Sequence, residues 1–172
     1  MVFNALRRTQ RLLDAARGYL LLHMPDQALA ELSGVEEPGD LEFDWHSLRG
    51  EALRERLDYR NAITAFERAQ AIQPQDLDVL MGLAWCYKRT NQLPKSIAAM
   101  HRAYQGHPDI PIVLYNLSCY YALAGEKEQA LSWLGRALRM QSDLKDLIAD
   151  ETDFDPIRND IDFRQLLALA EK

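Results

Sequence analysis

A period of 34 residues constrains this chain more than any other feature of it. Small residues recur at Ala28, Ala62, Ser96 and Ala130, and again at Ala69, Ala103 and Ala137. Bulky residues keep the same register at Tyr19, Leu53, Tyr87 and Tyr121 and at Leu32, Phe66, Met100 and Leu134. Gly50, Ala84 and Ser118 form a third small series, while Pro74 and Pro108 punctuate two repeat ends. A fixed period of roughly 20–50 residues marks a chain in which one supersecondary unit is stacked on copies of itself. Small residues let two helix backbones approach, and the large ones fill the space around them. Composition agrees: 48% hydrophobic with 27% charged residues suffices for a packed core, and 8 Gly with 7 Pro leave little turn material for an all-β fold of many hairpins.

The punctuation places the helices near 4–22, 26–33, 43–56, 60–72, 77–90, 94–105, 111–124 and 128–140. Pro25 and Pro94 suit first helical turns, where a missing N–H costs nothing, and Asn91 or Gly125 suits the left-handed position that ends the preceding helix.

These residues resemble the tetratricopeptide repeat, a 34-residue helix-turn-helix unit. From Trp45 to Pro74 the family positions hold Gly50, Leu53, Tyr59, Ala62, Phe66, Ala69 and Pro74. From Leu80 to Pro108 they hold Leu80, Leu83, Ala84, Tyr87, Ala103 and Pro108, and from Leu114 to Ala137 they hold Leu114, Leu117, Tyr121, Gly125, Ala130, Leu134 and Ala137. Arg49, Ser96 and Ser142 depart from the pattern without breaking it. Residues 9–42 are a degenerate first repeat, followed by repeats at 43–76, 77–110 and 111–144. The resemblance implies an all-α, right-handed α-solenoid of about four repeats within a single domain spanning 1–172.

After residue 144 the register is lost. Asp-Phe-Asp-Pro-Ile-Arg at 153–158, followed by Phe163, Leu166 and Leu167, resembles the tail behind many bacterial arrays of this family, and residues 145–172 are expected to cap the last apolar face. Asp150, Glu151, Asp153 and Asp155 could offer oxygen ligands to calcium, but the loop lacks the Gly and terminal Glu of an EF-hand. The expectation is a solvated acidic turn and no metal.

No motif of a catalytic centre stands out. His23, His46, His101 and His107 include no His-Glu-x-x-His pair, and no phosphate loop, nucleophile elbow or kinase signature set occurs. Cys86 and Cys119 read as thiols buried in the stack. The expectation is a non-enzyme without cofactor. A net charge of −6 has the wrong sign for a phosphate-backbone binder, so nucleic acid is not an expected partner. Two cysteines cannot form a disulfide framework, and Arg7, Arg8 and Arg11 interrupt any signal-like apolar run. Tyr19 to Leu22 falls far short of the roughly 20 residues of a membrane span. A cytoplasmic location is expected; oligomeric state is not legible.

The resemblance maps a concave groove onto the first helices of the repeats. Its expected partner-binding residues are Arg17, Glu51, Arg54, Met81, Trp85, Lys88, Arg89, Tyr115 and Cys119, with Leu13 contributed by the degenerate repeat. Trp85, Met81 and Tyr115 would be the apolar contacts and Arg54, Lys88 and Arg89 the charged orienters, a hot-spot composition. Trp45 and Trp133 are expected to pack, the latter under the C-terminal cap. A carboxylate clamp for chaperone tails is disfavoured, since its five positions hold Ser47, Glu51, Gly82, Ile112 and Asn116 in one register and Leu13, Arg17, Leu48, Asp78 and Gly82 in the other. The expected function is a protein-interaction adaptor or scaffold taking a peptide or helix of a partner protein; the alternative is a chaperone of the type III secretion class that keeps an effector soluble.

Overall fold

The computed structural model describes residues 2–169, with side chains from residue 6 onward, so the last three residues of the expected cap, 170–172, lie outside the described residues. Ten α-helices follow one another among the described residues: α1 Val2–Leu21, α2 Pro25–Ser33, α3 Glu42–Glu55, α4 Tyr59–Ile72, α5 Leu77–Arg89, α6 Leu93–Gly106, α7 Pro111–Leu123, α8 Lys127–Met140, α9 Lys145–Ile148 and α10 Ile161–Leu169. No strand occurs among the described residues. The first eight fall within two residues of the boundaries read from the sequence.

Local chemistry sets those boundaries. The Asp58 and Asp76 side chains accept the N–H groups of Asn61 and Val79 and so cap α4 and α5. Pro25 and Pro111 occupy the first turns of α2 and α7. Between the helices of a pair the same turn recurs. His23, Leu57, Asn91 and Gly125, each 34 residues after the last, have φ of 55°, 64°, 59° and 76°. Each N–H bonds back three residues and the following N–H bonds back five, as in Met24 to Tyr19, Asp58 to Leu53, Gln92 to Tyr87 and Glu126 to Tyr121. This is the Schellman closure of a helix C-terminus.

The described contacts group into two compact units, Met1–Gln92 and Leu93–Lys172. In the first, α1 to α5 pack each on the next, and α1 also touches α3, as α3 touches α5. Leu13, Ala16, Ala28, Leu32 and Ala52 form one buried cluster, against which Trp45 packs while donating Nε1–H to the Leu32 carbonyl at 3.0 Å. Phe66, fully buried, lies against Gly50 of α3 and Gly82 of α5, and a Cβ at either glycine would fall 2.6 Å from its ring. Ala62 and Ala69 are inaccessible, as the repeat pattern requires.

In the second unit α7 packs against α6 and α8, and Ala103, Ala130 and Ala137 are again inaccessible. Trp133 is buried, as expected. It sits edge-on to His101 and Tyr104 of α6, with the Arg136 guanidinium 4.4 Å from its ring centre. The ring thus packs between α6 and an arginine one turn along its own helix.

The C-terminal segment places Ile148, Phe154, Ile157 and Phe163 in the interior. Phe154 meets Tyr115 of α7 edge-to-face at 5.7 Å and Phe163 at a tilt at 5.5 Å, centroid to centroid. Arg158 staples the turn by donating to the Ile148 and Glu151 carbonyls, and Lys127 at the start of α8 reaches Asp160 and Asp162 at 3.1 and 3.0 Å. Both the aromatic seal and the ion pairs fasten this segment to α7 and α8.

Candidate interaction surface

Within the first unit, seven of the nine expected binding residues lie on α1, α3 and α5, the first helices of their pairs. Trp85 projects from α5 with 39% of its surface exposed, which is unusual for the largest apolar side chain. Its two faces are not equivalent, because the Lys88 Nζ sits 4.7 Å from the ring centre, one turn along the helix. Met81, one turn earlier, is half-buried. Arg89 is exposed and lays its guanidinium 5.5 Å from the Tyr59 ring of α4.

The α3 and α1 contributions are already compensated. Arg54 donates to Glu51 through Nε at 3.0 Å, both being half-buried. Arg17 is shared between Asp14 at 3.2 Å and Asp44 at 3.6 Å. These charges are ion-paired, and Trp85 is the exposed aromatic beside them. Cavities of about 270 and 350 Å³ open in this unit, lined by His46, Arg49 and Arg68 and by Leu29, Trp45 and Arg56 among others.

Three residues leave the expected surface. Tyr115 and Cys119 are 3% and 2% exposed, because Phe154 and the turn before it lie on the face of α7 that carries them. Leu13 is fully buried in the α1–α3 cluster. A sequence signal for the first two existed: α7, Pro111–Leu123, contains no charged residue, and a helix apolar on all sides is enclosed rather than half-solvated. Cys86 is buried as expected, and desolvation pushes its thiol up to about 12, far from a reactive thiolate.

Sequence comparison places a tetratricopeptide repeat at residues 53–109. A search of curated proteins gives no match. Solved structures do match: MamA residues 41 to the end from Desulfovibrio magneticus RS-1, with a TM-score of 0.72 and 15% identity over 95% of this chain and 96% of that one, and a second MamA crystal structure, with 0.71 and 19% over 80% and 81%. At these identities the likeness is one of fold, an all-α tetratricopeptide solenoid. The four Schellman turns each join the two helices of a pair, and α1, α3, α5 and α7 are the first helices of those pairs. No helix among the described residues is long and apolar enough to cross a membrane.

Proposed function

We propose that the protein is a non-catalytic interaction scaffold that takes a peptide or helix of a partner protein across α3 and α5, centred on Trp85. The observation that carries this reading is the exposed indole with Lys88 against it, on first helix α5. A rigid aromatic desolvates a large area at small entropy cost, and an adjacent cation orients an acidic or carbonyl-rich segment. The net charge of −6 favours a protein over a nucleic acid as partner. A reducing cytoplasm suits two free thiols.

The test is site-specific photo-crosslinking in the source cell. A crosslinking amino acid at Trp85 is expected to trap one recurrent protein, while the same group at exposed Arg68, on second helix α4, is not. Equal capture from both positions would remove the reading.

A further inference from the structure

Residues 150–155 carry four carboxylates, and the fold sends them to two different places. Asp150 and Asp155 face solvent, the latter paired with Arg158 Nε at 2.9 Å. Glu151 and Asp153 turn inward instead, so the expected solvated turn is only half solvated. One carboxylate oxygen of each and the Cys119 sulfur all lie within 4.8 Å of one another. Asp153 is 7% and Cys119 2% exposed. The Asp153 N–H donates to Glu151 Oε1 at 3.1 Å, which fixes the turn with both side chains toward α7.

A second observation points into the same cluster. Tyr115 lies one helical turn before Cys119 on the same face of α7 and packs on Phe154, the residue after Asp153. Its hydroxyl is buried with no oxygen or nitrogen partner, and the Cys119 side chain is the hydrogen-bonding group beside it. Cys119, Glu151 and Asp153 are the groups whose charges act on it. A neutral thiol is a poor acceptor for that hydroxyl; a thiolate is a good one.

We propose that Cys119, Glu151 and Asp153 hold a divalent metal of the zinc class, which pins the 151–154 turn to α7 while the Tyr115 hydroxyl donates to the metal-bound sulfur. Zinc–sulfur and zinc–oxygen bonds of about 2.3 and about 2.1 Å set tetrahedral ligand atoms about 3.5 Å apart, so the side chains need close by only about 1 Å. One soft thiolate with two carboxylates suits zinc rather than calcium or magnesium, which take oxygen ligands in greater number. On binding, the Cys119 S–H bond is broken, a sulfur–metal bond forms, and the proton leaves to solvent. Three anionic ligands around a dication leave one net negative charge, and the Tyr115 O–H dipole faces it. The fourth position falls to water.

The experiment uses the full chain, stripped with chelator and desalted, then titrated with Co²⁺. The expected result is a near-ultraviolet sulfur-to-cobalt band that saturates near one equivalent, is displaced by Zn²⁺, and accompanies a rise in melting temperature. Cys119→Ser should lose the band and Cys86→Ser should keep it. Glu151→Gln, at the least buried ligand, should keep the far-ultraviolet helix signal and bind at least tenfold more weakly. No band with the full chain, a band that survives Cys119→Ser, or undiminished affinity in folded Glu151→Gln would each overturn the proposal.

Discussion

Leu57 and Asn91 hold the same repeat position in the same left-handed conformation, yet only the asparagine suits it. A left-handed φ costs a residue with a bulky side chain about 1–2 kcal/mol, and Asn recovers much of that. Leu57 is 68% exposed, so little burial is lost when it is replaced. Leu57→Asn is therefore expected to stabilise the protein by roughly 0.5–1 kcal/mol in denaturant unfolding. Asn91 and Gly125 were legible from residue type alone. His23 and Leu57 were not, because nothing in their chemistry asks for that conformation; the 34-residue spacing was the only signal. Gly82 is the converse case. Alanine there gains up to about 1 kcal/mol of helix propensity, but its Cβ would meet the Phe66 ring, which Gly50 blocks from the other side. Gly82→Ala should cost about 1–3 kcal/mol net, and Phe66→Leu in the same chain should lower the added cost of the alanine.

Among the elements, α7 has the extent its sequence predicts, but its first-helix face is enclosed. The repeat register made its first-helix face part of a groove, and the tail made some apolar face need covering, but the period alone could not say that these were the same face. The missing charge on α7 did say so, and Phe154 against Tyr115 is its consequence. The α6–α8 contact carries a pH dependence. His101 lies against Trp133, with Nε2 2.6 Å from the Tyr121 hydroxyl, and burial holds its pKa below the ordinary 6.5. His46, on α3, is shifted the same way by burial. Below about pH 6.5 the unfolded chain takes up protons that the folded one refuses, so this stability is complete above that pH and is lost as pH falls toward the folded values. Melting temperature should drop between about pH 7.5 and about pH 5.5, and His101→Gln should flatten part of that slope.

For the whole molecule, the all-helical fold and the boundaries of α1 to α8 followed from one periodicity, because every repeat poses the same packing problem and meets it with the same residue types. Side-chain fate outside the repeat register was less legible: Trp133 went to α6, and Glu151 and Asp153 turned inward, each through contacts far apart in sequence. A chain ending at residue 144 lacks Phe154, Ile157 and Phe163 and bares Tyr115 and Cys119, so aggregation or a lower melting temperature than that of the full chain is expected in calorimetry. Trp85 is expected to be a binding residue. Its most direct test is calorimetric titration of the crosslinked partner, once purified, into wild type, Trp85→Ala and Arg68→Ala, with far-ultraviolet circular dichroism on each. Trp85→Ala should remain folded and bind about 30-fold more weakly, a loss of about 2 kcal/mol, with Arg68→Ala unchanged. Equal affinity for folded Trp85→Ala, or its unfolding, would contradict the claim and assign Trp85 to packing.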